Sequence, residues 1–172
     1  MNSMMAQKNK NSSDESFHIG LEAEARKEVT ALLNILLSDE FTLYAKTRGA
    51  HWNVRGSHFF SLHGLFEKQY EALDEIIDEV AERARMLGGM AVDSLMSFLT
   101  LTRLENENLS KYDERDFLMG ILIHHEAIIC NLRIDIKACE RHGDYGTADL
   151  FTGILAQHEK MAWMLRASLE KI

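Results

Sequence analysis

Proline is absent from this chain of 172 residues, and cysteine occurs only twice, at Cys130 and Cys139. Because proline removes a backbone donor and breaks helices, its absence permits long uninterrupted helices. Two cysteines are too few for a disulfide framework or a thiolate zinc cage, and they predict free thiols buried on a helix. Free thiols are typical of a reducing cytoplasm, where we expect the protein to reside.

Long apolar runs and positive charge are also scarce. No apolar run approaches the ~20 residues that span a bilayer, and the first 16 residues lack the apolar core of a signal peptide. Acidic residues outnumber basic residues by 27 to 19, which gives a net charge of -8. The sequence therefore predicts no membrane association and opposes nonspecific attraction to nucleic-acid phosphates.

The residues that are present favour one all-α domain. Hydrophobic residues make up 46% of the chain and charged residues 27%, as expected for a single globular domain with a core. Ala, Leu, Glu, Lys and Met, which are good helix formers, are abundant. Residues 1–17 are too polar to offset the entropy of ordering and predict a flexible tail, so the domain covers residues 18–172.

Apolar residues at three- and four-residue steps predict four long helices. The connection at 88–112 is long enough to run the length of a bundle, and it contains a predicted short helix at about 93–99. Four helices with one long crossover between the second and third describe a ferritin-like four-helix bundle. The predicted helices are A, from about Leu21 to near Gly49; B, from after Gly56-Ser57 to Gly88-Gly89; C, from an Asp113 cap to before Gly143; and D, from about Thr147.

One face of helix B carries groups that could bind a metal. At 100° per residue, with His63 at zero, Glu67 falls at about 40°, Asp78 at about 60° and Glu82 at about 100°. The apolar side chains of helix B occupy the opposite arc, which must face the core of the subunit. The four candidate ligands therefore point away from that core.

A single chain cannot bring the two ends of this stripe together. His63 and Asp78 are 15 residues apart, or about 22 Å along the helix, whereas metal ligands lie about 2 Å from the ion. His63 with Glu82, and Glu67 with Asp78, share a midpoint between residues 72 and 73. A second copy running antiparallel across a two-fold axis would therefore complete two identical sites per dimer.

His51, in the predicted turn that enters helix B, is placed to add a second imidazole. Imidazole and carboxylate ligands suit iron, manganese or zinc. Trp52 would lie beside the metal, where its indole would intercept radicals or simply pack. The alternative is that this acidic stripe is only a solvated helix face, since the outer side of helix B is rich in acids.

Two segments of the sequence resemble the Dps family, the DNA-binding proteins from starved cells, which are miniature ferritins. Lys46–Gly89 reads KTRGAHWNVRGSHFFSLHGLFEKQYEALDEIIDEVAERARMLGG. It contains a His-Trp-Asn turn, a histidine twelve residues later, and an acidic run that ends in Glu82-Arg83. The second segment, Thr147–Arg166, reads TADLFTGILAQHEKMAWMLR.

The resemblance implies a homo-dodecamer, built from two-fold dimers, that oxidises Fe(II) with hydrogen peroxide and stores ferric mineral in its cavity. It implies that His51 and His63 bind iron, as a mono-iron or di-iron site, together with Asp78 and Glu82 of the two-fold neighbour. Glu67 would have a supporting or second-iron role. Asp144 and Asp149 are candidates for an acidic pore through which iron enters, although helix capping explains them equally well.

Two alternatives to this function remain open from the sequence. The tail offers only Lys8 and Lys10, offset by two acids, so we expect weak or absent DNA binding. A structural, nucleoid-binding shell with a vestigial metal site is nevertheless the alternative function. An ordinary ferritin with a di-iron site inside each subunit is disfavoured, because Glu-x-x-His pairs are missing from the helices.

His125 and His158 lie on apolar faces and predict hydrogen-bonded core histidines.

Overall fold

The chain folds into five helices in a computed structural model that describes residues 17–105 and 113–170. Most of the predicted tail at 1–17 lies outside the described residues. Within those residues every regular element is a helix, which confirms the all-α class. The helices are α1 at Ala23–Asn53, α2 at Phe59–Met86, α3 at Leu95–Leu101, α4 at Glu114–Arg141 and α5 at Tyr145–Leu169.

The four long helices form a bundle with one long crossover, as the sequence predicts. The α1 helix packs along α2, α4 packs along α5, and the short α3 in the crossover lies against α1. Their apolar faces meet in one core in which Phe66 of α2 and Phe151 of α5 are fully buried. Part of the crossover, residues 106–112, falls outside the described residues.

The end of α1 differs from its predicted position. The helix continues past Gly49 to Asn53, so the prediction that it ends near Gly49 is wrong. The Asn53 side chain donates to the Gly49 carbonyl at 2.7 Å, and the Val54 N–H donates to the Ala50 carbonyl at 2.8 Å. These bonds extend the helix over a residue of low helix propensity. As a result His51 lies on the last turn of α1 and not in the following turn.

The other helix ends follow their capping residues. Gly88, with φ of 84°, ends α2 in the left-handed conformation that glycine tolerates. Asp113 caps α4 as predicted. Asp144 caps α5, which therefore begins two residues before the predicted Thr147. The short α3 begins after Ser94, whose hydroxyl accepts from the Ser97 N–H at 3.1 Å.

The two thiols have different environments. Cys139 is buried in the core, and burial raises the pKa of its thiol to about 12. Cys130 is exposed, so the prediction that both thiols are buried is wrong. Of the described helices only α4 is long enough, and contains a sufficiently apolar stretch, to span a membrane. Ten of its residues are buried in the bundle, as expected for a core helix.

Candidate metal centre

His51 and His63 face each other across the turn that joins α1 to α2. The Nδ1 atom of His51 lies 3.0 Å from the main-chain oxygen of His63. The Nδ1 atom of His63 lies 2.9 Å from the main-chain oxygen of His51. The two rings stack with centroids 3.7 Å apart and planes inclined by 21°. The two histidines therefore form a reciprocal pair.

This pair determines which ring nitrogen carries the proton. A carbonyl oxygen only accepts hydrogen bonds, so each Nδ1 atom must be the donor. In a neutral imidazole the other nitrogen, Nε2, then carries the lone pair. Histidine ligands in metal sites are commonly held in this way, with the second nitrogen bonded to a carbonyl or carboxylate. Both imidazoles are therefore prepared to act as ligands through Nε2.

Aromatic side chains surround the histidine pair. Tyr70 contacts the His51 ring edge-on with centroids 5.2 Å apart, and Phe59 stacks on His63 at 4.9 Å. The Arg48 guanidinium lies 4.5 Å from the Tyr70 ring centroid. His51 is 9% exposed, whereas the neighbouring Trp52 is 68% exposed. The His51 and His63 rings are thus packed against aromatic side chains.

The acidic candidates Glu67, Asp78 and Glu82 are all exposed on α2. The opposite face carries the core residues Leu62, Phe66, Leu73, Ile76 and Val80, all buried. Orientation of the stripe away from the core is therefore confirmed. Within the described residues of one chain, no three His, Cys, Asp or Glu side chains converge closely enough to hold one ion. One chain thus holds the histidine pair where α1 meets the start of α2, and holds Asp78 and Glu82 separately, further along α2.

The two pore candidates have different surroundings within the chain. Asp144 is 2% exposed and accepts hydrogen bonds from Arg83 at 2.7 Å and from the Thr147 N–H at 2.9 Å. These bonds support the capping interpretation of Asp144. Asp149 is exposed on α5. A pore role for either residue stays a prediction.

The interpretation of His125 and His158 as hydrogen-bonded core histidines is confirmed. Both are fully buried, and their Nδ1 atoms lie 2.9 Å apart. The sequence did not indicate their neighbour Glu40, a buried carboxylate of α1 that lies 3.0 Å from His158 Nε2. Burial, together with the neighbouring His158 and His124, holds the pKa of His125 well below its usual value.

A contact between the α2 start and α4 was also not predicted. Glu114 accepts hydrogen bonds from the main-chain N–H of His58 at 2.9 Å and from His58 Nδ1 at 2.8 Å. These bonds, the side-chain bond above all, lower the pKa of the Glu114 carboxyl. Helix N-termini often attract carboxylates, but sequence gives no sign that this one comes from another helix.

The bundle with its crossover is the architecture of ferritins and their relatives, and the sequence comparison agrees. Residues 30–172 match the Ferritin-like domain family, so the chain belongs to that family. Within it, the chain belongs to the DNA protection during starvation (Dps) proteins. It is 32% identical over 145 residues to DNA protection during starvation protein 2 of Bacillus anthracis, covering 84% of this chain and 99% of the relative.

Other relatives extend this assignment. An uncharacterised low temperature-induced protein of Nostoc sp. is 41% identical over 154 residues, which cover 89% of this chain and 86% of the relative. The crystal structure of Dps from Vibrio cholerae has a TM-score of 0.83 at 31% identity, with 89% and 96% of the two chains covered. DpsC from Streptomyces coelicolor has a TM-score of 0.86 at 28% identity, with 95% and 96% covered.

Proposed function

We propose that this protein is a ferroxidase and iron-storage mini-ferritin that oxidises Fe(II), preferably with hydrogen peroxide, in the cytoplasm. The observation that carries the proposal is the reciprocal His51–His63 pair, which leaves a lone pair on both Nε2 atoms. The Vibrio cholerae relative is a member of a broad superfamily of ferritin-like diiron-carboxylate proteins, which supports iron as the metal. Iron is the substrate of the reaction, and the residues of the site are its ligands.

The site is completed by a second subunit in this proposal. His51 and His63 bind iron with Asp78 and Glu82 of the two-fold neighbour, and Glu67 supports the first or a second iron. Phe60 is 90% exposed, and Leu95, Met96 and Leu99 of α3 are between 66% and 73% exposed. Exposed apolar side chains in this number favour association with another surface. Six such dimers form a twelve-subunit shell around a cavity that receives the ferric mineral.

The chemistry follows from the ligand set. Anionic carboxylates stabilise Fe(III) more than Fe(II), so their coordination favours the loss of an electron. Two Fe(II) ions each give one electron to hydrogen peroxide, the O–O bond breaks, and two hydroxide ions form. No hydroxyl radical is released when both electrons are delivered. Trp52, beside His51, would take up an oxidising equivalent that escapes this two-electron reaction.

A double substitution tests the proposal. In His63→Ala with Asp78→Ala, both halves of every site lose a ligand, so we expect peroxide-dependent Fe(II) oxidation to fall at least about 100-fold. The measurement is the rise of ferric absorbance after anaerobic Fe(II) loading and peroxide addition. His142→Ala with Glu79→Ala removes one histidine and one carboxylate that are not candidate ligands, and is expected to keep the activity. Unchanged oxidation in the first variant rejects the site.

The wild-type protein and the His63→Ala, Asp78→Ala double variant also test the alternative function, a structural shell that binds DNA. Relatives carry DNA protection and DNA-binding in their names, but this chain has a net charge of -8. Twelve such subunits would repel phosphates, so we expect little or no DNA retardation in a low-salt gel near pH 7. Tight complexes that survive the double substitution would favour the structural shell.

A further inference from the structure

The start of α2 lacks the capping groups that a helix usually receives from its own sequence. The N-cap residue, His58, makes no side-chain capping bond, and the first turn of α2 contains no acidic residue. A helix N-terminus leaves backbone donors unpaired and carries partial positive charge. This end of α2 therefore needs a partner from elsewhere in the chain.

Glu114, the first residue of α4, is that partner. It is 56 residues away in sequence, yet its Oε1 accepts the His58 main-chain N–H and its Oε2 accepts from the His58 ring. The carboxylate thus caps α2 and also binds the side chain of the N-cap residue His58 through a hydrogen bond. Its lowered pKa keeps it ionised, which favours its place at the positive end of the helix.

The backbone of the turn is shaped around this carboxylate. Gly56 has φ of 129°, a conformation that side chains rarely adopt, and a Cβ atom there would collide with Oε1 of Glu114. Any other residue at position 56 would strain the backbone and require the Glu114 carboxylate to shift. Glu114 and Gly56 together fix where α2 begins.

The start of α2 in turn decides whether the two histidines can pair. His51 lies at the end of α1 and His63 in the second turn of α2, so their reciprocal bonds require the two helix ends to keep their relative position. We propose that Glu114 is a positioning residue for the His51–His63 half-site. This inference rests on the proposed function, because it assumes that the pair binds metal.

Zinc binding to the assembled protein tests this role without any turnover. Zn²⁺ suits the same imidazole and carboxylate ligands. Zinc binding at the site is measured as the binding that the wild type shows and that His63→Ala loses. We expect Glu114→Ala to weaken this binding about 10-fold or more, because the start of α2 would lose the contact that holds it and His63 would no longer keep its position beside His51. Glu114→Gln keeps an acceptor for the His58 N–H but loses the charge, and we expect a smaller loss.

The control is Glu28→Ala. It breaks another Glu–His pair, in which Glu28 lies 2.8 Å from His142, and this pair is far from the histidine half-site in sequence. We expect the zinc affinity of this variant to stay within about twofold of the wild type, since Glu28 bonds to His142 and not to the start of α2. Hydrogen exchange of residues 56–63 should accelerate in Glu114→Ala and not in Glu28→Ala.

The possible results separate this inference from the function on which it rests. Wild-type zinc affinity in both Glu114 variants would overturn the positioning role alone. An equal loss in Glu28→Ala would also overturn it, because the effect would then be general. If wild-type protein shows no zinc binding that depends on His63, the proposed function fails first and the positioning role fails with it. If Glu114→Ala does not assemble, the zinc affinity of Glu114→Gln decides whether Glu114 positions the half-site.

Discussion

His124 is 3% exposed on α4, and burial, followed by the charge of Lys46, lowers its pKa to about 4. An unfolded histidine titrates near pH 6.5. Between these values the unfolded chain binds a proton that the folded chain does not. Stability is therefore lost as the pH falls from about 6.5 towards 4, by roughly 1.4 kcal/mol per pH unit for one such histidine. His125 contributes in the same direction.

We expect His124→Gln to reduce this dependence, because glutamine does not titrate. The measurement is the fall in melting temperature between pH 7 and pH 5, which should be smaller in the variant than in the wild type. His18→Gln, at an exposed position, is the control and should keep the wild-type fall. An undiminished fall in His124→Gln would show that other groups govern the acid response.

At the scale of elements, α3 and the crossover are held by a buried ion network. Arg103 contacts Asp39 of α1 at 2.7 Å and Asp135 of α4 at 2.8 Å, and both aspartates are nearly inaccessible. The Thr102 hydroxyl also donates to Asp39 at 3.0 Å. Burial raises the pKa of Asp135, although the bond from Arg103 opposes this shift. The crossover is thus tied to two long helices through one guanidinium.

Arg103→Met should therefore destabilise the fold by about 3–5 kcal/mol, because it leaves two buried carboxylates without their partner. Urea unfolding would measure the loss. Adding Asp39→Asn and Asp135→Asn should recover part of it, since neutral amides are less costly to bury than unpaired charges. Arg133→Met, which breaks an exposed pair with Glu159, should cost less than about 1 kcal/mol. A similar loss in both methionine variants would contradict the network's role.

At the scale of the whole molecule, the proposed site is shared between subunits, and mixed assemblies can reveal the sharing. His63→Ala and Asp78→Ala subunits should each form inactive shells. In a mixed dimer, one site would lose both ligands and the other would keep a complete set. Random assembly in equal amounts makes half of the dimers mixed, so about a quarter of the sites should be intact.

Peroxide-dependent Fe(II) oxidation by co-expressed His63→Ala and Asp78→Ala subunits should then reach about a quarter of the wild-type rate. A mixture of the two separately assembled shells is the control and should stay inactive if subunits do not exchange. Activity in neither preparation would contradict a site built from two subunits, provided that mass spectrometry finds both chains in the same shells.

The sequence alone determined the helices and the face on which the candidate ligands lie. Apolar periodicity along α2 placed Leu73 and Val80 in the core and left Asp78 outside, because the helical repeat converts spacing into direction. Gly88 and Asp113 marked helix ends through local backbone chemistry. The Dps resemblance rested on the same stretch, and family membership confirms it. Gly49 misled because local hydrogen bonds from Asn53 and Val54 outweigh the low helix propensity of one glycine.

Only the tertiary structure decided which polar groups meet. The reciprocal pairing of His51 with His63 depends on where one helix ends and the next begins, and on a carboxylate from a third helix. Glu40 beside His158, and Arg103 between two aspartates, join positions far apart in the chain. Helical spacing specifies faces and ends, but it contains no information about the register between helices. That register comes from core packing, and it is what brings two histidines that are separated in sequence into one reciprocal pair.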